Sequence, residues 1–144
     1  RFQIFSSMER GAGKGDLGTV YYAISLLLLA LITFGPLNNP VVGGVGILIM
    51  GYGDGLAAVV GTRWPKWPYQ IFGSEKTLSG SLTMLGASFL VTTLLLAATG
   101  QSQVLIPAIA LAVLATLLEA ATPLGLDNLT VPLVSAGAYY YLFV

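Results

Sequence analysis

The stretch that decides the fold runs from Leu17 to Gly53, LGTVYYAISLLLLALITFGPLNNPVVGGVGILIMGYG, and no charged side chain lies between Asp16 and Asp54. A membrane helix needs about 20 predominantly apolar residues. Extended to Gly61, the stretch holds two, Gly18 to Phe34 and Val41 to Gly61, reversed by GPLNNP. The pattern recurs downstream. The interval from Lys76 to Glu119 is also free of charge and fits Leu78 to Ala98 and Val104 to Ala120, split by TGQSQ; after Asp127, Leu129 to Val144 makes a short fifth span. The expectation is an all-α, polytopic transmembrane bundle of about five spans, with residues 1–144 forming a single domain.

Composition agrees with that reading. The chain is 56% hydrophobic and carries six Lys and Arg against six Asp and Glu, where a water-soluble domain of this length would carry roughly 36 charges. Its mean hydropathy is +0.84, and its 18 Gly and 7 Pro are tolerated inside membrane helices. Zero net charge with no basic run argues against nucleic acid as a partner. The sequence lacks Cys and His, so disulfides, thiolate metal sites and imidazole bases are excluded. Chemistry must therefore rest on carboxylates, Lys, Arg, hydroxyls or a metal. The chain begins at Arg1 without an initiator Met or a signal-peptide pattern, and the expectation is that it starts partway through a longer protein.

Numbering the loops alternately puts the N-terminal segment, Gly61 to Thr77 and Thr122 to Asn128 on one side, with GPLNNP and TGQSQ on the other. All six Lys and Arg fall on the first side, which the positive-inside rule makes cytoplasmic. The acids share it, as Glu9, Asp16, Asp54, Glu75, Glu119 and Asp127 all lie in or near those segments. An enzyme that meets a water-soluble cosubstrate would be built this way. A proton or cation relay would instead place ionisable groups at several depths.

Three places can carry chemistry. Asp54, in MGYGDGLAAVVGTRW, sits about two turns inside the end of the second span, where an acid is costly and usually pairs with a cation or metal. The small residues around it, Gly51, Gly53, Gly55, Ala57, Ala58 and Gly61, would let backbone or phosphate approach; the competing reading is a helix-packing stripe with a snorkelling acid. The loop GSEKTLSGS, Gly73 to Ser81, brings Lys76, hydroxyls and glycines to a helix start, which is anion-binding chemistry without the order of a Walker A loop. Its alternative is a capped helix start with Lys76 at the lipid headgroups. Glu119, Asp127 and Asn128 form the third place, and Asp54, Glu119 and Asp127 together make an oxygen set for Mg²⁺. Asp127 could equally be an N-cap, and Glu119 a partner for a loop Lys or Arg. Arg63, Trp64, Lys66, Trp67 and Tyr69 read as an interfacial belt, in which Arg63 or Lys66, like Arg10 and Lys14, could also meet nucleotide phosphate. Tyr139, Tyr140 and Tyr141 read as an outer belt.

The order GDGLAAVVG, EKTLSGS and DNLTVPL resembles the phytol, dolichol and polyprenol kinase family of integral membrane lipid kinases, over most of Thr19 to Phe143. Gly53, Asp54, Ala57 and Gly61 fit its GDxxAxxxG; Lys76, Thr77, Gly80 and Ser81 fit its K-S/T-x-x-G-S; Asp127, Asn128 and Pro132 fit its DNxxxP. Ser79, where dolichol kinases usually carry Glu, and the run DNLTVPL make it most similar to the phytol kinase subgroup. The resemblance implies phosphate transfer from CTP, or another nucleoside triphosphate, with Mg²⁺ to the terminal hydroxyl of a long isoprenoid alcohol. It implies that Asp54 and Asp127 serve the metal or the attacking hydroxyl; on the chemistry of the residues themselves, Asp54 or Glu119 could accept the alcohol proton, which makes Glu119 a third catalytic candidate. It implies that Lys76 and the Gly80–Ser81 turn hold nucleotide phosphates, and Gly53, Gly61, Arg63, Thr77 and Asn128 complete the candidate nucleotide-binding set. The family usually carries further N-terminal spans, which are expected to be missing here. The rivals are a CTP-dependent diacylglycerol kinase, a CDP-lipid-forming cytidylyltransferase, which would release pyrophosphate rather than CDP, and a non-catalytic transporter or assembly module.

Overall fold

A computed structural model describes residues 17–123 and 125–144. Helix α1 spans Gly18–Phe34 and is followed by α2, Pro40–Leu48, a π-helical turn Ile49–Asp54, and α3, Gly55–Arg63. The last three run on without a break as one 24-residue apolar helix, Pro40–Arg63. Two short strands follow, β1 at Pro68–Ile71 and β2 at Ser74–Thr77, and then helices α4 at Leu78–Ala98, α5 at Leu105–Ala121 and α6 at Asp127–Phe143. The helix boundaries fall within a few residues of those read from the charge-free intervals. Pro40–Arg63 and Leu78–Ala98 are the two described helices long and apolar enough to cross a membrane.

The turns follow from local chemistry. Asn39 accepts a hydrogen bond from the Val41 amide at 3.1 Å and so caps α2, with Pro40 in the first turn, where its missing N–H costs nothing. Thr77 caps α4 by accepting from the Gly80 amide at 3.1 Å. Between the strands, Phe72 and Gly73 both take positive φ, 50° and 79°, the backbone of the tight primed turn that suits an antiparallel hairpin. Among the described residues, this hairpin is the one addition to the all-helical expectation. Its sequence signal is weak, because Phe–Gly is not among the favoured turn pairs.

The helices pack on small and hydroxyl-bearing faces. On α4 the buried positions Gly80, Met84, Ser88, Thr92 and Leu96 recur every fourth residue, with Gly80 against Ala57 and Gly61 of α3 and Met84 and Ser88 against Gly53, while α5 buries Ala108, Ala112 and Ala115. Leucines point outward instead, with Leu82, Leu90, Leu94 and Leu117 all exposed. Apolar surface outside and small residues within is the packing pattern of helices in lipid, where close backbone approach and dispersion hold the contacts. Glycine permits that approach at Gly46, where a Cβ would meet the Pro132 carbonyl oxygen at 2.5 Å, and at Gly53, where it would meet the Ser88 hydroxyl. Gly46→Ala is therefore expected to destabilise the bundle by about 1–3 kcal/mol, while Gly51→Ala, which adds its methyl to open space, leaves thermal unfolding in detergent near that of the parent.

The aromatic run on α6 departs from expectation. Tyr139 is 2% exposed, stacks with Phe143 and donates to Gln101 Oε1 at 3.4 Å, so it belongs to the core. Tyr141 is the exposed member. Successive helical residues point about 100° apart, so three consecutive tyrosines cannot share one surface.

Candidate active site

The start of α1, the end of α3, the hairpin, the start of α4, the end of α5 and the start of α6 all lie at one end of the bundle, and there they enclose a cavity of about 740 Å³. Asp54 closes the π-helical turn. A π turn shifts the angular phase of everything after it, so it resets the direction in which Asp54 and α3 face relative to α2, and such turns recur at functional sites. Glu119 stands on the last turns of α5 and Asp127 is the first residue of α6. Gly125, with φ of 77°, makes the left-handed turn leading to Asp127. Oxygen atoms from Asp54, Glu119 and Asp127 lie within 4.8 Å of one another.

Lys76 reaches this group from β2. Its Nζ donates to Glu119 Oε1 at 2.7 Å and to Asp127 Oδ2 at 3.0 Å. Burial works to lower the Lys76 pKa, but Asp127 and Glu119 outweigh it and raise the value to about 12. The ammonium thus persists across the physiological range. The hydroxyl of Thr77 and the close approach of α3 to α4 complete that wall: a Cβ on Gly80 would lie 3.1 Å from Thr77 Oγ1 and 3.2 Å from the Ala57 carbonyl oxygen.

Two carboxylates remain incompletely satisfied. Asp54 forms no hydrogen bond or ion pair through its side chain with a described residue. Glu119 is 6% exposed, and its Oε2 is buried without a partner. A buried carboxylate oxygen without a donor is costly, and three clustered carboxylates beside one lysine, which pairs with two of them, retain negative charge that a hard divalent cation would neutralise. The donor set fits Mg²⁺.

The cavity wall gathers Asp54, Gly61, Lys76, Thr77, Gly80, Glu119, Asp127 and Asn128 from the residues singled out in the sequence. Gly53, Arg63 and Ser81 lie elsewhere. Gly53 is buried against Met84 and Ser88. Arg63 is exposed, with its guanidinium 6.0 Å from the Trp64 ring centre. Ser81 sits at the end of the first turn of α4 rather than in a loop, and shares a hydrogen bond with Tyr69. Asp127 is not the N-cap of α6, since Leu126 holds that position; its Oδ1 accepts from the Asn128 amide at 3.0 Å while Oδ2 takes Lys76. Glu119 is indeed the partner of a loop lysine, and it lines the cavity as well. Ser74 and Glu75, from the same Gly73–Ser81 stretch, also line it, as do Thr19 and Tyr22 of α1, which the sequence reading did not single out. Arg10 and Lys14, with Glu9 and Asp16, lie outside the described residues.

No protein-family profile matches the chain, and no solved structure matches it significantly. Curated proteins do. The chain is 43% identical over 149 aligned positions to a protein of Synechocystis sp. named phytol kinase, covering 99% of the chain and 63% of that relative. It is 31% identical to a soybean (Glycine max) protein named probable phytol kinase 1, chloroplastic, over 88% of the chain and 44% of the relative. A wheat (Triticum aestivum) protein named probable phytol kinase, chloroplastic, is 29% identical over 97% of the chain and 49% of its own length. The chain thus spans about half to three-fifths of these relatives. Its likeness to them extends over nearly every residue it has, and on that ground the chain belongs to a phytol kinase-like family.

Proposed function

We propose that this chain forms the phosphotransfer site of a multi-pass membrane kinase that phosphorylates the terminal hydroxyl of a long isoprenoid alcohol, phytol or a polyprenol, with CTP as donor and Mg²⁺ as cofactor. The observation that carries the proposal is the convergence of Asp54, Glu119, Asp127 and Lys76, from four separate elements, on one cavity. Phosphoryl transfer needs positioning and charge neutralisation more than a covalent nucleophile, and these residues supply both. The names of the relatives support a phytol-like acceptor.

In this reading Asp54 and Asp127, joined by Glu119 through its unpartnered oxygen, hold the metal, which when bound supplies electrostatic stabilisation to the transferring phosphate. Lys76 offers its ammonium to the nucleotide phosphates, and Thr77 and Asn128 border the same space. Asp54, through a carboxylate oxygen not given to the metal, accepts the alcohol proton as the hydroxyl oxygen bonds to the terminal phosphorus. The bond from that phosphorus to the bridging oxygen breaks, and CDP leaves. Gly61 and Gly80 keep α3 and α4 close enough to form one wall.

The five helices cross the bilayer with this end at the cytoplasmic face, as the positive-inside rule requires, since Arg63, Lys66 and Lys76 are all at the cavity end. The apolar tail then lies among the helices and membrane lipids while the nucleotide arrives from water. The test is phosphorylation by the full-length protein in liposomes, with phytol, a polyprenol and diacylglycerol as parallel acceptors and either Mg²⁺ or EDTA. Label in the isoprenoid phosphate, lost with EDTA and restored by Mg²⁺, is expected. Transfer confined to diacylglycerol would overturn the acceptor, and EDTA-resistant transfer the metal.

A further inference from the structure

The lysine of this site is carried by a hairpin that stands outside the helix bundle. Phe72, at the tip, is 79% exposed, and an isolated two-stranded hairpin has little stability of its own. Something must fix it if Lys76 is to stand in one place.

The register supplies the candidate. Tyr69 and Lys76 are directly paired across the two strands, so their side chains project from the same face of the hairpin. Lys76 extends to Glu119 and Asp127, while the Tyr69 hydroxyl reaches Ser81 Oγ on α4 at 2.5 Å. Ser81 is only 7% exposed, so this bond is anchored in the bundle and sheltered from competing water. A second tie holds the base of the hairpin. Ser79 Oγ donates to the Trp64 carbonyl at 2.7 Å and accepts from the Lys66 amide at 3.3 Å. The two α4 serines nearest Lys76, which by residue type look like anion ligands, thus have their hydroxyls engaged in holding the hairpin.

We propose that Tyr69 is a positioning residue, whose latch to Ser81 fixes the hairpin so that Lys76 is held over the carboxylates, ready for the nucleotide. The inference rests on the phosphotransfer reading above. Tyr69 lies in neither the cavity wall nor the ion-pair network, so it acts only through the hairpin. Its loss would leave Lys76 chemically intact and less well placed, which weakens nucleotide handling without touching the acceptor.

The experiment uses the full-length protein in liposomes, with Tyr69→Phe, Ser81→Ala, the double variant and Lys76→Met measured in parallel for kcat and for the KM of CTP and of phytol. Tyr69→Phe is expected to raise the KM for CTP about 3- to 10-fold, the loss of one hydrogen bond, with the KM for phytol unchanged. Ser81→Ala should match it, and the double variant should be no worse than either single, because both remove the same bond. General destabilisation would lower the active fraction and leave the CTP KM alone. If Lys76→Met impairs CTP use while Tyr69→Phe does not, or if the two latch effects multiply, the latch is overturned and the site reading survives. If Lys76→Met uses CTP as the parent does, the site reading itself fails.

Discussion

Asp54→Asn should cut lipid phosphorylation by at least about 100-fold and leave the protein as stable as the parent, or more so. The substitution keeps the shape of the side chain and removes its charge. Asp54 has no hydrogen-bond or ion-pair partner among the described residues, and its carboxylate shares a 4.8 Å cluster with two others. Removing that charge relieves repulsion and desolvation, so no stabilising contact is lost. An unpaired acid retained at such a cost is what a site produces when binding or proton transfer, not folding, requires the group. Activity, metal dependence and thermal unfolding measured on the same preparation separate the two effects. Asp127→Asn should also abolish phosphorylation, but with some loss of stability, because Asp127 is a partner of Lys76.

Lys76→Met should behave in the opposite way with respect to folding. Glu119 and Asp127 are largely buried, and the lysine is the one cation that reaches both among the described residues. Breaking a buried ion pair from one side strands the remaining charge, at a cost of about 3–5 kcal/mol. The variant should therefore unfold at lower temperature in EDTA and lose nucleotide affinity together with stability. Mg²⁺ should recover part of the lost stability, since a cation that binds only the folded cavity stabilises it by mass action. The pH dependence has a defined sign. The folded-state pKa of Lys76 lies above its ordinary value of 10.5, so its stabilisation is complete below about 10.5 and is lost as pH rises through about 12. A Lys76→Met protein with the unfolding temperature of the parent, in EDTA, would show that the ion pair holds nothing together.

Much of this architecture was legible in the chain because long apolar helices obey a simple rule. Charge is disfavoured within apolar helices, so the charge-free intervals between Asp16 and Asp54 and between Lys76 and Glu119 locate the helices to within a few residues, except that the second runs on past Asp54 to Arg63. Asp54, Lys76, Glu119 and Asp127 were legible for the same reason, as the few ionisable groups that interrupt or flank the apolar stretches. Their convergence was not, because spacing along a chain does not fix which helices adjoin. The π turn before Asp54 also left no periodic signature, since an expanded turn in a run of glycines looks like any other apolar segment. Ser81 illustrates the limit most clearly. Its neighbours in sequence suggest phosphate, while its neighbour in space is Tyr69 from the opposite strand of a hairpin whose turn lacks the usual residues.

The most direct measurement follows the two ends of the nucleotide separately: full-length protein in liposomes with Mg²⁺ and phytol, supplied with CTP labelled either at its γ-phosphate or at its α-phosphate, for the parent and for Asp54→Asn. The account predicts that γ-label enters the lipid, that α-label leaves as CDP, and that Asp54→Asn does neither. Entry of α-label into lipid with release of pyrophosphate, or undiminished γ-transfer by Asp54→Asn, would contradict it.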